Sequence, residues 1–76
     1  MKDTERKQKI EAYLSAVQAR WVREGKWIPT QYDFESFRNY LHLQMKLDSY
    51  RAIVLAERAM KILTRKVRTL VVETHN

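Results

Sequence analysis

Residues 51–70, RAIVLAERAMKILTRKVRTL, decide the fold. Within them Ile53, Ala56, Met60, Leu63, Val67 and Leu70 recur at spacings of 3, 4, 3, 4 and 3, the rhythm of an amphipathic helix. Arg51, Arg58, Lys61, Arg65 and Arg68 fall on the opposite side of the same wheel. One helix, spanning about residues 49–72, is therefore expected to bury one face and present a row of cations on the other. Ala52, Leu55, Ala59 and Ile62 widen the apolar sector to roughly half the circumference, more than one neighbouring helix needs. Such a helix is either the central element of a bundle or the seam of a dimer. The heptad has no polar interruption, which permits a homodimer through this helix or through the second and third helices together.

Upstream, Asp48-Ser49 supplies polar residues suited to capping this helix. A second helix is predicted over about 31–46, with Phe34, Phe37, Leu41 and Met45 on its inner face and Tyr40, Leu43 and Leu47 widening it. Thr30 is its N-cap, with Asp33 three residues on in a variant of the capping box. From Thr30 to Asn76 there is neither glycine nor proline. The second and third helices can thus be separate or one continuous rod, and compactness favours a break, because the first helix alone cannot cover so long a rod.

The strong breakers are Gly25 and Pro29, in the segment Gly25-Lys26-Trp27-Ile28-Pro29. Before them Ile10, Tyr13, Leu14, Val17 and Trp21 mark a first helix over about 4–24, ended by Gly25 in the left-handed conformation. Residues 73–76 read as a loose tail. The expected architecture is a single all-α domain of three helices over residues 1–76, with the long third helix central.

Seventy-six residues without a cysteine bury only about 60% of their unfolded surface and lack disulfides and thiolate metal sites. Oligomerisation is the reinforcement left to so small a chain. No stretch reaches the run of about 18 apolar residues that a membrane span needs, and the start lacks the apolar core of a signal peptide, which predicts a cytoplasmic protein. The net charge of +6, from 15 basic and 9 acidic residues, favours polyanionic partners.

Guanidinium groups grip phosphate oxygens with two prongs, and a helix carrying them every three or four residues can follow a phosphate backbone. Lys7 and Lys9, near the start of the first helix where its dipole disfavours cations, add a second contact. The order helix, polar turn, helix invites comparison with a helix-turn-helix, in which Ser49, Tyr50 and Arg51 lead the recognition helix. Lys46-Leu47-Asp48-Ser49 fits a plain bend equally well. Aromatic residues crowd into 21–40. Phe34 and Phe37 point to the core, and Trp27 to the corner between the first two helices.

Nothing suggests catalysis, a cofactor or a metal: there are two histidines, no cysteine and no glycine-rich phosphate loop. The reading is a small regulatory protein that binds nucleic acid, DNA ahead of RNA. Its contacts are Arg51, Arg58, Lys61, Arg65, Arg68, Lys7 and Lys9, with Ser49 and Tyr50 touching base or sugar. The alternative is an adaptor or inhibitor whose same basic and aromatic surface meets an acidic partner protein.

Overall fold

The computed structural model describes residues 2–75. Helix α1 (Asp3–Glu24) is followed by α2 (Gln31–Asn39), which runs on into a π-helical turn (Tyr40–Gln44), and by α3 (Ser49–His75). Each boundary has a local cause. Gly25 takes φ +68°, the Lys26 N–H donates to the Trp21 carbonyl at 2.9 Å, and the Gly25 N–H donates to the Val22 carbonyl at 3.1 Å. This pair of bonds closes the last turn of α1 and needs a residue free to adopt positive φ. At the start of α2 the Asp33 N–H donates to the Thr30 hydroxyl (3.2 Å), and the Thr30 N–H donates to the Asp33 carboxylate (2.8 Å). The expected capping box is formed.

The second helix does not run to residue 46 as a regular helix. From Tyr40 it widens, and the Met45 N–H donates to the Tyr40 carbonyl at 3.1 Å, five residues back. Leu41 and Met45, four apart, both stay on the core side, and Leu43, two residues from each, faces away from them at 62% exposure instead of widening the inner face. The chain then turns through Lys46 at φ +61°. Two bonds clasp this turn: the Leu47 N–H donates to the Leu41 carbonyl (3.1 Å), and His42 Nδ1–H donates to the Leu47 carbonyl (2.8 Å). Asp48 accepts the Arg51 N–H at 2.8 Å and caps α3, so the second and third helices are separate. Since a side chain in the left-handed region costs about 1–2 kcal/mol and glycine in the unfolded chain about 0.5–1, Lys46→Gly should raise stability by about 0.5–1 kcal/mol. Urea melts followed by circular dichroism check this, and a destabilised variant would contradict it.

The helices pack up, down, up. Ile10 shares a hollow with Leu55, Leu14 with Ile62 and Leu63, and Gln18 with Leu70, so α1 runs parallel to α3. Pro29 lies beside Met60 and Thr64 while Phe37 and Leu41 lie near Leu55, which sets α2 antiparallel. Helix α3 contacts both others and is the spine. Its 27 residues at about 1.5 Å each account for the 42 Å long axis of the molecule.

Trp21, Phe37, Leu41, Met45 and Leu47 pack onto α3 at Ala52, Ala56, Met60, Leu63, Val67 and Val71. Tyr13 joins the two layers, its ring 5.2 Å from Phe37 and 4.4 Å from Tyr40, whose hydroxyl donates to the Lys9 carbonyl at 3.2 Å. The stripe that α3 buries departs from the expected heptad at both ends. Ala52 and Val71 are buried, whereas Ile53 is half-buried and Leu70 is 37% exposed. Buried positions recur at 4, 4, 3, 4 and 4, an 11-residue pattern of about 3.67 residues per turn, which slants opposite to a left-handed coiled-coil seam. The middle of the predicted seam, Ala56, Met60, Leu63 and Val67, is buried within the chain itself. The predicted tail is corrected as well: α3 continues through His75, and Asn76 lies outside the described residues.

Candidate nucleic-acid interface

Because one stripe of α3 is taken by the core, its charged residues are forced to the far side. Arg51, Arg58, Lys61, Arg65 and Arg68 are all exposed there, on a strip of roughly 26 Å at helical rise. Lys66, absent from the row read in the sequence, is also exposed and stands at its edge. Among the described residues no ion pair engages any of these six, and Glu57, one turn before Lys61, does not pair with it. A solvated face on a stable helix usually alternates charges and pairs them. Here the cations stand open.

The N-terminal cations are different. Arg6 pairs with Asp3 at 3.7 Å and Lys9 with Glu5 at 3.5 Å, and these two acids in the first turn also satisfy the helix dipole that the cations oppose. The Lys9 pair is half-exposed and worth about 0.3–0.5 kcal/mol, weak enough to exchange for a phosphate. Lys7 is exposed. The parallel course of α1 and α3 places Lys7 and Lys9 at the end of the bundle where α3 begins. Ser49 and Tyr50 occupy that end too, in the first turn of α3, with Tyr50 76% exposed. All the residues singled out in the sequence thus lie along α3 or beside its start.

The aromatic residues divide otherwise. Trp21 and Phe37 are buried, Phe34 and Trp27 pack half-buried against the core, and Trp27 fills the α1–α2 corner. Between residues 21 and 40 the exposed aromatic is Tyr32, at 74%. His42 is held by the Leu47 carbonyl.

A second charged cluster is structural. Asp33 is the buried charge of the core, and its carboxylate receives Lys26 Nζ at 2.7 Å, the Thr30 hydroxyl at 2.8 Å and Arg20 Nη2 at 3.4 Å. Burial pushes the Asp33 carboxyl up, and the hydrogen bonds from Lys26 and Thr30 outweigh that and hold its pKa below the ordinary value. Burial likewise raises the nearby Tyr13 phenol, against the opposing pull of Arg20. Sequence spacing revealed the capping half of this cluster. The Lys26 and Arg20 contacts arise from the tertiary fold.

Among the described residues no helix is long and apolar enough to cross a membrane, and no group of acids and histidines is arranged to hold a metal ion. The chain matches no family model, no curated protein and no solved structure.

Proposed function

We propose that this chain is a small cytoplasmic regulator that binds nucleic acid, DNA in preference to RNA, along the outer face of α3. The observation that carries the reading is the run of exposed cations with no ion pair among the described residues: Arg51, Arg58, Lys61, Arg65, Lys66 and Arg68. Four of the six are arginine, whose planar fork suits two-pronged phosphate contacts. A straight helix held by its opposite face keeps the row in register, so little ordering is required on binding. Tyr50 and Ser49 at the leading end reach base or sugar, and Lys7 and Lys9 extend the contact onto α1.

Each phosphate neutralised releases condensed counterions, and log K falls with log salt by about 0.9 per contact on duplex DNA. Four to six contacts give a slope of roughly −4 to −5. Replacing Arg58 and Arg65 with alanine should flatten it by about two units, one per lost contact, and weaken binding to every sequence alike. Both side chains are exposed, so the variant keeps its fold. A salt-titrated shift assay on generic duplex DNA measures the slope, and a wild-type affinity insensitive to salt contradicts the reading.

A pair of copies would double the phosphates engaged. Within one chain the middle of the α3 seam packs against the other helices. Light scattering decides between one copy and two.

A further inference from the structure

Beside the cationic strip lies a groove that the three-helix packing leaves open. It begins between Ile10 and Leu55 in a hollow of about 230 Å³, and continues past Leu14, Ala59 and Ile62 into one of about 410 Å³. These two hollows share Leu14, Ala59 and Ile62, and the second shares Gln18 and Lys66 with a third that ends at Leu70. The groove follows α3 from Leu55 to Leu70, roughly 22 Å at helical rise, which is the length of about four helical turns. Its floor is apolar, and Ile62 (48% exposed) and Leu70 (37%) are among the large hydrophobic side chains the fold leaves in solvent. Its α3 bank carries Arg58, Arg65 and Lys66, and Glu11 on the α1 bank is the acid that lines it among the described residues.

We infer that this groove is a docking site for an amphipathic helix of a partner protein, with apolar residues on one face and carboxylates flanking them. The shape selects a helix: an apolar channel straight over four turns accepts side chains at i, i+3, i+4 and i+7. The charge selects its sign. Three cations against one acid reward a helix flanked by Glu or Asp, and they disfavour a second copy of this chain, which brings the same three cations to the strip as part of a net charge of +6. Arg58 and Arg65 border both this groove and the phosphate-binding strip. An occupied groove therefore blocks phosphate contacts, a consequence that rests on the nucleic-acid reading, whereas docking itself does not.

The probe is a labelled designed peptide of about 15 residues with leucines on one face and glutamates on the flanks. It is compared with a lysine-flanked version and with a scramble of the same composition. Fluorescence anisotropy with the full chain should show the glutamate peptide binding at least about tenfold more tightly than either control. Ile62→Gln, neutral and at a half-exposed position, should weaken that binding by about tenfold, with an unchanged thermal melt confirming the fold. Equal binding of the ordered and scrambled peptides would overturn the proposal, since charge alone would then suffice. So would a wild-type dimer in light scattering that Ile62→Gln converts to monomer, because the groove would then hold a second copy. Peptide binding is read without nucleic acid, so a chain that takes the peptide and ignores DNA refutes the proposed function and leaves the groove standing, and the converse result refutes the groove alone.

Discussion

Trp21→Ala should lower the unfolding free energy by about 3–5 kcal/mol, the usual range for emptying a fully buried tryptophan site. Trp21 has no solvent exposure and stands near the C-terminal end of α1, where it packs into the same cluster as Phe37 and Val67. A chain of 76 residues has a total stability of only about 4–11 kcal/mol. One truncation thus removes between about a quarter and all of it, and the variant is expected to melt far below the wild type. Urea denaturation followed by circular dichroism measures the loss, and a loss under about 1 kcal/mol would mean that α1 is not anchored as described. Trp21→Phe is the informative companion. Trp21 Nε1 has no hydrogen-bond partner among the described residues, and a buried unpaired donor costs about 1–3 kcal/mol. Phenylalanine leaves a small void and removes that penalty, so the two terms should offset to within about 1 kcal/mol. The ring, rather than the indole N–H, holds the helix.

That dependence on one side chain was legible in the sequence as periodicity, because Trp21 closes the run Ile10, Tyr13, Leu14, Val17. The stop of the first helix and the start of the second were equally readable, since Gly25 and the Thr30–Asp33 box act through residues adjacent in the chain. The end of the second helix was not. Its turn depends on a lysine in the left-handed region, a conformation that composition does not announce, and on a clasp from His42 that only the folded turn creates. The outward side of Leu43, by contrast, needs no π turn: two residues from both Leu41 and Met45, it faces away from them on an ordinary wheel of about 3.6 residues per turn. On α3, six apolar positions fitted a heptad because a short run fits several neighbouring periods. Packing against two helices selected the 4, 4, 3 pattern and moved the ends of the stripe to Ala52 and Val71.

The cationic row was legible for a simpler reason. Once the apolar face is assigned, the charges have nowhere else to go, and an error of one position at the ends of the stripe does not move Arg58, Lys61 or Arg65. What the wheel did not convey is pairing. Glu57 and Lys61 have the spacing of a helix ion pair and make none, whereas Asp3–Arg6 and Glu5–Lys9 do form. Asp3, Glu5 and Asp33 are thus paired near the start of α1 and in the core, while among the described residues no ion pair engages the α3 cations. The groove beside them is not legible in the sequence, because it is the space between helices whose parallel course no local signal specifies.

The cluster around Asp33 shows how far that internal use of acids goes. Asp33→Ala should cost about 2–4 kcal/mol. It removes the capping box, worth about 1 kcal/mol, and leaves Lys26 without its partner, where hydrogen bonds to charged groups contribute about 1.5–3. Lys26 is 29% exposed and can turn toward water, which keeps the loss below that of a fully buried pair. Asp33→Asn keeps the shape and an acceptor for Thr30, and should lose about half as much. The pH dependence has a definite sign. The folded carboxyl titrates below its unfolded value, so the stabilisation is complete above the unfolded pKa of about 3.9 and disappears as pH falls through the lower folded pKa. Between pH 5 and pH 2 the wild type should therefore lose more stability than Asp33→Asn, and the two melting curves should converge at the acid end. Parallel acid titrations that never converge would show that the Asp33 charge contributes nothing and that only its shape matters. The cluster ties the N-terminus of α2 to the last turns of α1 through Arg20 and Lys26, so its loss should also loosen the corner that Trp27 fills. A rise in Trp27 accessibility to an uncharged quencher such as acrylamide in Asp33→Ala, absent in Asp33→Asn, would locate the damage there.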